Sequence, residues 1–127
     1  MTDVPRPTGI NLRKQSRTLE LQYPDGESYS LTCEYLRVYS PSAEVVGHGP
    51  GQEVLQVGKI NVGISNIKPV GNYALQLVFD DGHDTGLFSW DYLYTLCREQ
   101  EERWDRYLAR MKEAGESRDP SVQVLKL

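Results

Sequence analysis

The stretch YALQLVFDDGHDTGLFSWDYL, residues 73–93, predicts a β-hairpin that runs directly into a helix. Apolar and polar residues alternate on both sides of Asp81-Gly82, a dipeptide preferred in two-residue type I′ hairpin loops. A loop of this kind places Asp80 directly opposite His83. The residues predicted to share the core face of this hairpin are Leu75, Leu77, Phe79 and Phe88.

One long helix is predicted to follow the hairpin. Ser89 is a suitable N-cap, Asp91 favours the positive end of the helix dipole, and Gly115 is a suitable stop. A helix of this length spans roughly 35–40 Å, so its second half must pack on the N-terminal strands or form a docking surface. Its predicted apolar stripe consists of Trp90, Leu93, Cys97, Trp104, Leu108 and Met111.

The N-terminal half is predicted to begin with strands. Alternating residues over 10–23 and 27–31 flank a Pro-Asp-Gly turn and indicate a second hairpin. Helical spacing over 33–39 predicts a short helix, and the proline and glycine content of 40–52 predicts an ordered loop. Alternation over 60–67 predicts a further strand.

These elements together predict an α+β fold with a mainly antiparallel sheet, a short helix and one long C-terminal helix. Residues 1–8 are predicted to be a flexible tail, residues 9–97 a single domain, and residues 98–127 a helical extension and tail. A chain of 127 residues is long enough to bury a hydrophobic core without disulfides or metals.

The composition limits the classes of function. The net charge of -4 and the pI near 5.2 argue against nucleic-acid binding. No apolar run approaches the ~20 residues of a membrane span, and the first residues lack a signal-peptide core, so a cytoplasmic location is expected. Cys33 and Cys97 are expected to be free thiols.

The sequence leaves the role of His83 undecided among three alternatives. His83 can be a hairpin histidine hydrogen-bonded to Asp80 or Asp84, a metal ligand, or a residue that contacts a partner. A neighbouring carboxylate would raise its pKa above the reference value. The residue alone does not decide among these three roles.

Other motifs do not point to catalysis. The loop GHGPGQ, residues 47–52, is a candidate crossing loop, or an anion site to which His48 contributes. No G-x-S-x-G motif occurs, and neither histidine lies in the H-x-D/E motif of iron(II) oxygenases. We therefore expect no catalytic residues and no enzymatic activity.

Two segments, YLRVYSPSAEVVGHGPGQ (35–52) and VGNYALQLVFDDGHDTGLFSWDYLYTLC (70–97), resemble the DUF971 family, also called the gamma-butyrobetaine hydroxylase-like N-terminal domain. The resemblance implies a small α+β domain. In the hydroxylases of carnitine biosynthesis, a C-P-C-x-x-C cluster and a downstream histidine bind a structural zinc. The matching residues here are Ser40, Ser42, Val45 and His83, so the resemblance implies that three of the four ligands are lost.

The expected function is accordingly a non-enzymatic protein-interaction adaptor without a cofactor. Similar domains are fused to P-loop ATPases that carry iron–sulfur clusters, so such a carrier ATPase is the candidate partner, with no nucleic acid or membrane and an undetermined oligomeric state. The alternatives are a zinc or iron site at His83, with ligands among Cys33, His48, Asp81 and Asp84, and a small anion- or nucleotide-binding enzyme. The expected contact surface comprises Arg37, Ser40, Pro41, Ser42, Gly47, His48, Gly49, Asp81, Gly82, His83, Asp84 and Trp90.

Overall fold

The computed structural model describes residues 4–125 and 127. It confirms an α+β fold, built from two antiparallel three-stranded sheets and four helices. Residues 1–3 of the predicted tail lie outside the described residues, and the backbone N–H of Thr8 already donates to Gln22. The elements are β1 Gly9–Arg13, β2 Thr18–Gln22, β3 Ser28–Thr32, α1 Cys33–Val38, α2 Ala43–Val46, β4 Ile64–Val70, β5 Ala74–Phe79, β6 Leu87–Ser89, α3 Trp90–Arg98 and α4 Gln100–Ala114.

The first sheet has the order β1-β2-β3 and confirms the predicted N-terminal hairpin. Leu19 and Leu21 of the central strand are fully buried, because alternate side chains of β2 face the core. Leu19 lies opposite Leu31 in the antiparallel register. The Thr32 hydroxyl caps α1, which confirms the predicted short helix.

The second sheet has the order β4-β5-β6, and Leu75 lies opposite Phe88. The predicted two-residue loop between β5 and β6 is wrong. The backbone N–H of Phe79 donates to the carbonyl of His83, so Phe79 rather than Asp80 lies opposite His83. In this turn Gly82 alone has a positive φ, 90°, whereas a type I′ loop requires two such residues. The longer loop turns the Asp80 carboxylate toward the backbone N–H of Gly63, 3.0 Å away.

The connection between the two sheets differs from the prediction in two places. Residues 43–46 form the short helix α2, capped by the Ser42 hydroxyl, where an irregular loop was predicted. The strand predicted over 60–67 begins only at Ile64. The reason is that the backbone N–H of Ile60 donates to Arg118 of the C-terminal segment and is not available for the sheet.

The predicted single C-terminal helix is divided at Glu99, where φ is -106° and ψ is 21°. Ser89 caps α3 and Gly115 ends α4 in the left-handed conformation, as predicted. No proline or glycine lies near Glu99, so tertiary packing decides the break. Beyond the break, α4 buries Tyr107 and Met111 against Val38 of α1. Leu108, predicted in the apolar stripe, is instead exposed.

A single main core lies between the two sheets, α1 and α3. Cys33 and Cys97 are both buried within it as free thiols, which confirms the prediction for both residues. Within residues 4–125 and 127, no helix combines the length and hydrophobicity needed to cross a membrane. The residues of the core with no exposed surface are Leu19, Leu21, Leu31, Cys33, Leu36, Leu77, Phe88, Leu93 and Leu96.

Candidate functional site: the His83 clasp

His83 joins two segments that are far apart in the sequence. Its Nε2 lies 2.8 Å from the Ser40 hydroxyl, and its Nδ1 lies 3.0 Å from a carboxylate oxygen of Glu44. We call these three residues the His83 clasp. The predicted role as a hydrogen-bonded hairpin residue is therefore observed, but with Ser40 and Glu44 as partners of the ring in place of Asp80 or Asp84.

Close packing of Gly86 against the side chains of Ser40 and Pro41 reinforces the clasp. The Ser42 hydroxyl lies 2.8 Å from the Thr85 hydroxyl. A Cβ atom at Gly86 would overlap the Ser40 hydroxyl and would lie 3.4 Å from Cδ of Pro41. The sequence analysis missed Glu44, Thr85 and Gly86. Only Gly86 could have been found from the sequence, because a glycine within a strand pattern often marks a place where another group approaches the backbone closely.

The electrostatics of His83 differ from the prediction. Burial lowers the pKa of His83, the Arg37 guanidinium lowers it further, and the Glu44 carboxylate opposes both effects. The predicted increase is wrong because the ring is buried and neither Asp80 nor Asp84 bonds to it. A carboxylate only accepts hydrogen bonds, so Nδ1 of the neutral ring must donate to Glu44, and Nε2 then accepts from the Ser40 hydroxyl.

Asp81 connects the hairpin turn to the rest of the domain. One carboxylate oxygen accepts hydrogen bonds from Arg37 Nε at 2.9 Å and Lys59 Nζ at 2.6 Å. The other accepts from the backbone N–H of His83. Burial raises the pKa of Asp81, but the hydrogen bonds from Lys59 and Arg37 outweigh burial, and the net shift is downward. The turn is thus held to α1 and to the segment before β4.

The order Ser40, His83, Glu44 resembles the hydrogen-bond chain of serine hydrolases. In a serine hydrolase the serine is accessible and the acid is buried, whereas here the serine is buried and the acid is exposed. Ser40, in the position of the nucleophile, has no exposed surface, whereas the side chain of Glu44, in the position of the buried acid, is 65% exposed. A nucleophile must reach its substrate, so we interpret this chain of hydrogen bonds as a structural tie.

The residues that the resemblance places at zinc-ligand positions do not fit a zinc ion. Ser40 and Ser42 offer neutral hydroxyls, Val45 offers no donor, and Nε2 of His83 is already bonded to Ser40. Throughout the described part of the chain, no three histidine, cysteine or acidic residues are grouped so that they could hold a metal.

The structure brings only part of the predicted contact surface together. Residues 37–42 and 81–84 meet at the clasp, but Arg37, Ser40, Ser42 and His83 are buried and are not accessible to a partner. Trp90 lies at the opposite end of β5, where its indole N–H donates to the Asn72 carbonyl. Pro41, Gly47 and Gly49 are half-buried, and the exposed members of the predicted surface are His48, Asp81, Gly82 and Asp84.

The chain is similar to several solved structures. One protein with an NMR solution structure is 54% identical over 98% of both chains, with a TM-score of 0.83. A second NMR solution structure is 52% identical, covers 100% of this chain and 96% of that chain, and has a TM-score of 0.80. A crystal structure of a DUF971 family protein of unknown function from Acidithiobacillus ferrooxidans ATCC 23270 is 41% identical. It covers 72% of this chain and 91% of that chain, with a TM-score of 0.59.

No curated protein matches the chain. The sequence model described as gamma-butyrobetaine hydroxylase-like, N-terminal, matches residues 10–94, more than half of the chain. The match includes the whole His83 clasp and both sheets except Gly9. The chain therefore belongs to the gamma-butyrobetaine hydroxylase-like N-terminal domain family, the DUF971 family.

Proposed function

We propose that this chain is a non-enzymatic interaction module that binds a partner protein. The observation that carries the proposal is the connection over residues 47–63, which contains no helix or strand. Connections longer than roughly 12–15 residues are uncommon in compact domains and are usually functional or disordered. This one is held by backbone hydrogen bonds, including Val54 N–H to Val45 and Gln52 N–H to Gly49.

The connection presents apolar side chains to solvent. Val46, Val54, Val57 and Ile60 are all exposed, on α2 or on the connection that follows it. Aliphatic groups on an ordered surface segment are suited to contact with another protein. We define α2 together with residues 47–63 as the proposed contact surface, which is narrower than the surface predicted from the sequence.

The His83 clasp would preorganise this surface. It ties α2 to the β5–β6 turn through Glu44 and Ser40, and Lys59 ties the connection to Asp81 of the same turn. A surface that is already ordered loses less conformational entropy on binding. The buried residues of the clasp thus support the contact surface without touching the partner.

The candidate partner is an iron–sulfur carrier ATPase, supported only by the fusion of similar domains to such ATPases. The metal-binding alternative is weakened by the poor donor set around His83. The small-enzyme alternative has no support in the clasp, whose serine is buried. The proposal therefore concerns the contact surface first and the identity of the partner second.

The experiment compares Val46→Asp/Val54→Asp with the wild-type chain. Proteins captured by the wild type are purified, and their binding is measured by calorimetry in the presence of EDTA. We expect the double variant to bind at least about tenfold more weakly, since charged groups at an interface core are costly. Tyr73→Asp/Leu87→Asp, at exposed positions around β5 and β6 and outside the surface, should bind as the wild type does. Equal affinity of the first variant and the wild type would refute the proposal, as would the absence of any purified partner.

A further inference from the structure

A cavity of about 470 Å³ lies between the end of α1, α2, residues 53–56 and α4. Its apolar wall includes Val38, Val45 and Leu55. Cavities that bind small molecules typically measure roughly 300–1,000 Å³ and combine apolar walls with a few convergent polar groups. The size and the apolar lining of this cavity are therefore suited to a small organic ligand.

The polar groups of the cavity are mainly cationic. Arg103, Arg106 and Arg110 all line it, and their spacing of three and four residues places them on one face of α4. Among the described residues that line the cavity, only Glu53 carries a carboxylate. The acidic residues of α4 do not line the cavity. The helix therefore presents arginines to the cavity and its acidic residues elsewhere, although the whole chain has a net negative charge.

Two of the three arginines form no ion pair with any residue that the structure describes. Arg103 already has partners within the protein. Its Nε lies 3.0 Å from a carboxylate oxygen of Glu99, and its guanidinium stacks on the rings of Tyr39 and Tyr92. Among the ion pairs and side-chain hydrogen bonds of residues 4–125 and 127, none involves Arg106 or Arg110. Burial raises the pKa of Tyr39, and the guanidinium groups of Arg106, Arg103 and Arg110 oppose that rise. The three positive charges thus act on one region of the cavity.

Three tyrosines hold the walls in place. The Tyr39 hydroxyl donates to the Arg103 carbonyl at 2.6 Å, and the Tyr92 hydroxyl donates to the Tyr39 carbonyl. The Tyr107 hydroxyl donates to the Gln56 carbonyl at 2.6 Å. These bonds connect α1, α3, α4 and the 47–63 connection. The cavity is therefore built before a ligand arrives, which lowers the entropic cost of binding.

We propose that this cavity binds a small amphipathic anion. A carboxylate or phosphate-monoester head lies between Arg106 and Arg110, and an apolar body lies against Val38, Val45 and Leu55. Guanidinium groups are well matched to such heads because they form paired, charge-assisted hydrogen bonds. The site adjoins the proposed contact surface, since Val45 and Leu55 belong to both, but the arginines that bind the anion lie on α4, outside that surface.

The test is an NMR titration of the ¹⁵N-labelled full chain with three probes at constant ionic strength. Octanoate carries both the charge and the chain, octan-1-ol carries the chain alone, and inorganic phosphate carries the charge alone. We expect octanoate to shift the resonances of the cavity residues saturably. Each of the other probes should bind at least about tenfold more weakly, because each lacks one of the two contributions.

Variants separate the site from general electrostatics. Arg106→Gln/Arg110→Gln should weaken octanoate binding at least about tenfold. Lys14→Gln/Lys68→Gln removes the same charge at exposed positions outside the cavity and should leave the affinity unchanged. Glu53→Gln should strengthen octanoate binding by about twofold or more, because it removes the repelling carboxylate.

Several results would overturn the proposal. Equal binding of octan-1-ol and octanoate would remove the role of the arginines, and equally tight binding of phosphate would remove the role of the apolar wall. Octanoate binding that is unchanged in Arg106→Gln/Arg110→Gln, or shifts confined to residues outside the cavity, would place the ligand elsewhere. An acidic peptide that binds the cavity more tightly than octanoate would assign it to a polypeptide.

Discussion

At the scale of single residues, the hydrogen bonds of the clasp fit a neutral His83. The neutral ring donates at Nδ1 to Glu44 and accepts at Nε2 from Ser40, so both nitrogen atoms are satisfied. A protonated ring would donate at both nitrogens, and the Ser40 hydroxyl would have to rotate and accept. The protonation of one buried side chain is thereby coupled to the stability of the domain.

We expect the domain to lose stability through His83 as the pH falls. The unfolded chain takes up the proton near the ordinary pKa of ~6.5, whereas the folded chain does so only at lower pH. The stabilisation is therefore present above about pH 6.5 and is lost as the pH falls through the folded-state pKa. Urea unfolding between about pH 7.5 and 5 should show a shallower pH dependence for His83→Gln than for the wild type.

The exposed His48 provides the control for this measurement. His48→Gln should retain the pH dependence of the wild type, since no hydrogen bond of the clasp involves it. Identical pH slopes for the wild type and His83→Gln would contradict the assignment of the pH dependence to His83.

Gly86 is predicted to be required for the close contact with Ser40. Gly86→Ala should lower the free energy of unfolding by about 1–3 kcal/mol, because the added methyl group overlaps the Ser40 hydroxyl and crowds Pro41. Gly49→Ala is the matched control, since nothing lies within 4 Å of its added Cβ. Urea denaturation measures both variants, and equal stabilities would show that the backbone shifts at little cost.

At the scale of elements, α2 and the β5–β6 turn are positioned by their own hydrogen bonds. The Ser42 hydroxyl both caps α2 and contacts Thr85 of the turn, while Ser40 bonds directly to His83. The resemblance to the domain of the carnitine-biosynthesis hydroxylases implies that a metal ion joins the equivalent segments there. Here hydroxyl groups and a carboxylate occupy that region, and we expect the same segments to hold a zinc ion when cysteines replace Ser40, Ser42 and Val45.

Ser40→Cys/Ser42→Cys/Val45→Cys is expected to bind about one zinc per chain, as a three-cysteine, one-histidine site does. The 2.8 Å separation of the Ser40 hydroxyl and His83 Nε2 needs only a small expansion to admit the ion. Elemental analysis of untagged protein purified without chelator is the measurement. Adding His83→Ala to the triple variant should weaken zinc retention.

The same measurement on the wild-type chain tests the metal-binding alternative. We expect no stoichiometric zinc or iron, because the donor set around His83 is poor. About one metal per wild-type chain, lost in His83→Ala, would contradict this expectation and would make His83 a ligand.

At the scale of the whole molecule, the C-terminal segment closes the fold over α1. Arg118 forms two hydrogen bonds, 2.6 and 2.8 Å long, with the buried carboxylate of Glu34, and its guanidinium stacks on Trp104. The carbonyls of Ser117 and Arg118 accept from Gly58 and Ile60 of the proposed contact surface. The segment that follows α4 therefore helps to order that surface.

Removing this ion pair should destabilise the domain. Arg118→Gln is expected to lower the free energy of unfolding by about 1–3 kcal/mol, less than for a fully buried pair because Arg118 is one-third exposed. Arg13→Gln breaks the exposed pair with Glu20 and should change stability by less than about 1 kcal/mol. Chemical denaturation of the two variants tests the difference, and equal effects would show that burial of Glu34 does not matter.

The sequence by itself determined the elements whose causes are local. Alternation predicted β1, β2 and β5, helical spacing predicted α1, and Ser89 and Gly115 predicted the start of α3 and the end of α4. Tertiary structure decided the division at Glu99, the late start of β4 and the partners of His83. Those features depend on contacts between residues 39 to 84 positions apart, such as Glu44 with His83 and Glu34 with Arg118. Local periodicity carries no information about such contacts. These side chains become buried and find their hydrogen-bond partners only when segments distant in the sequence meet.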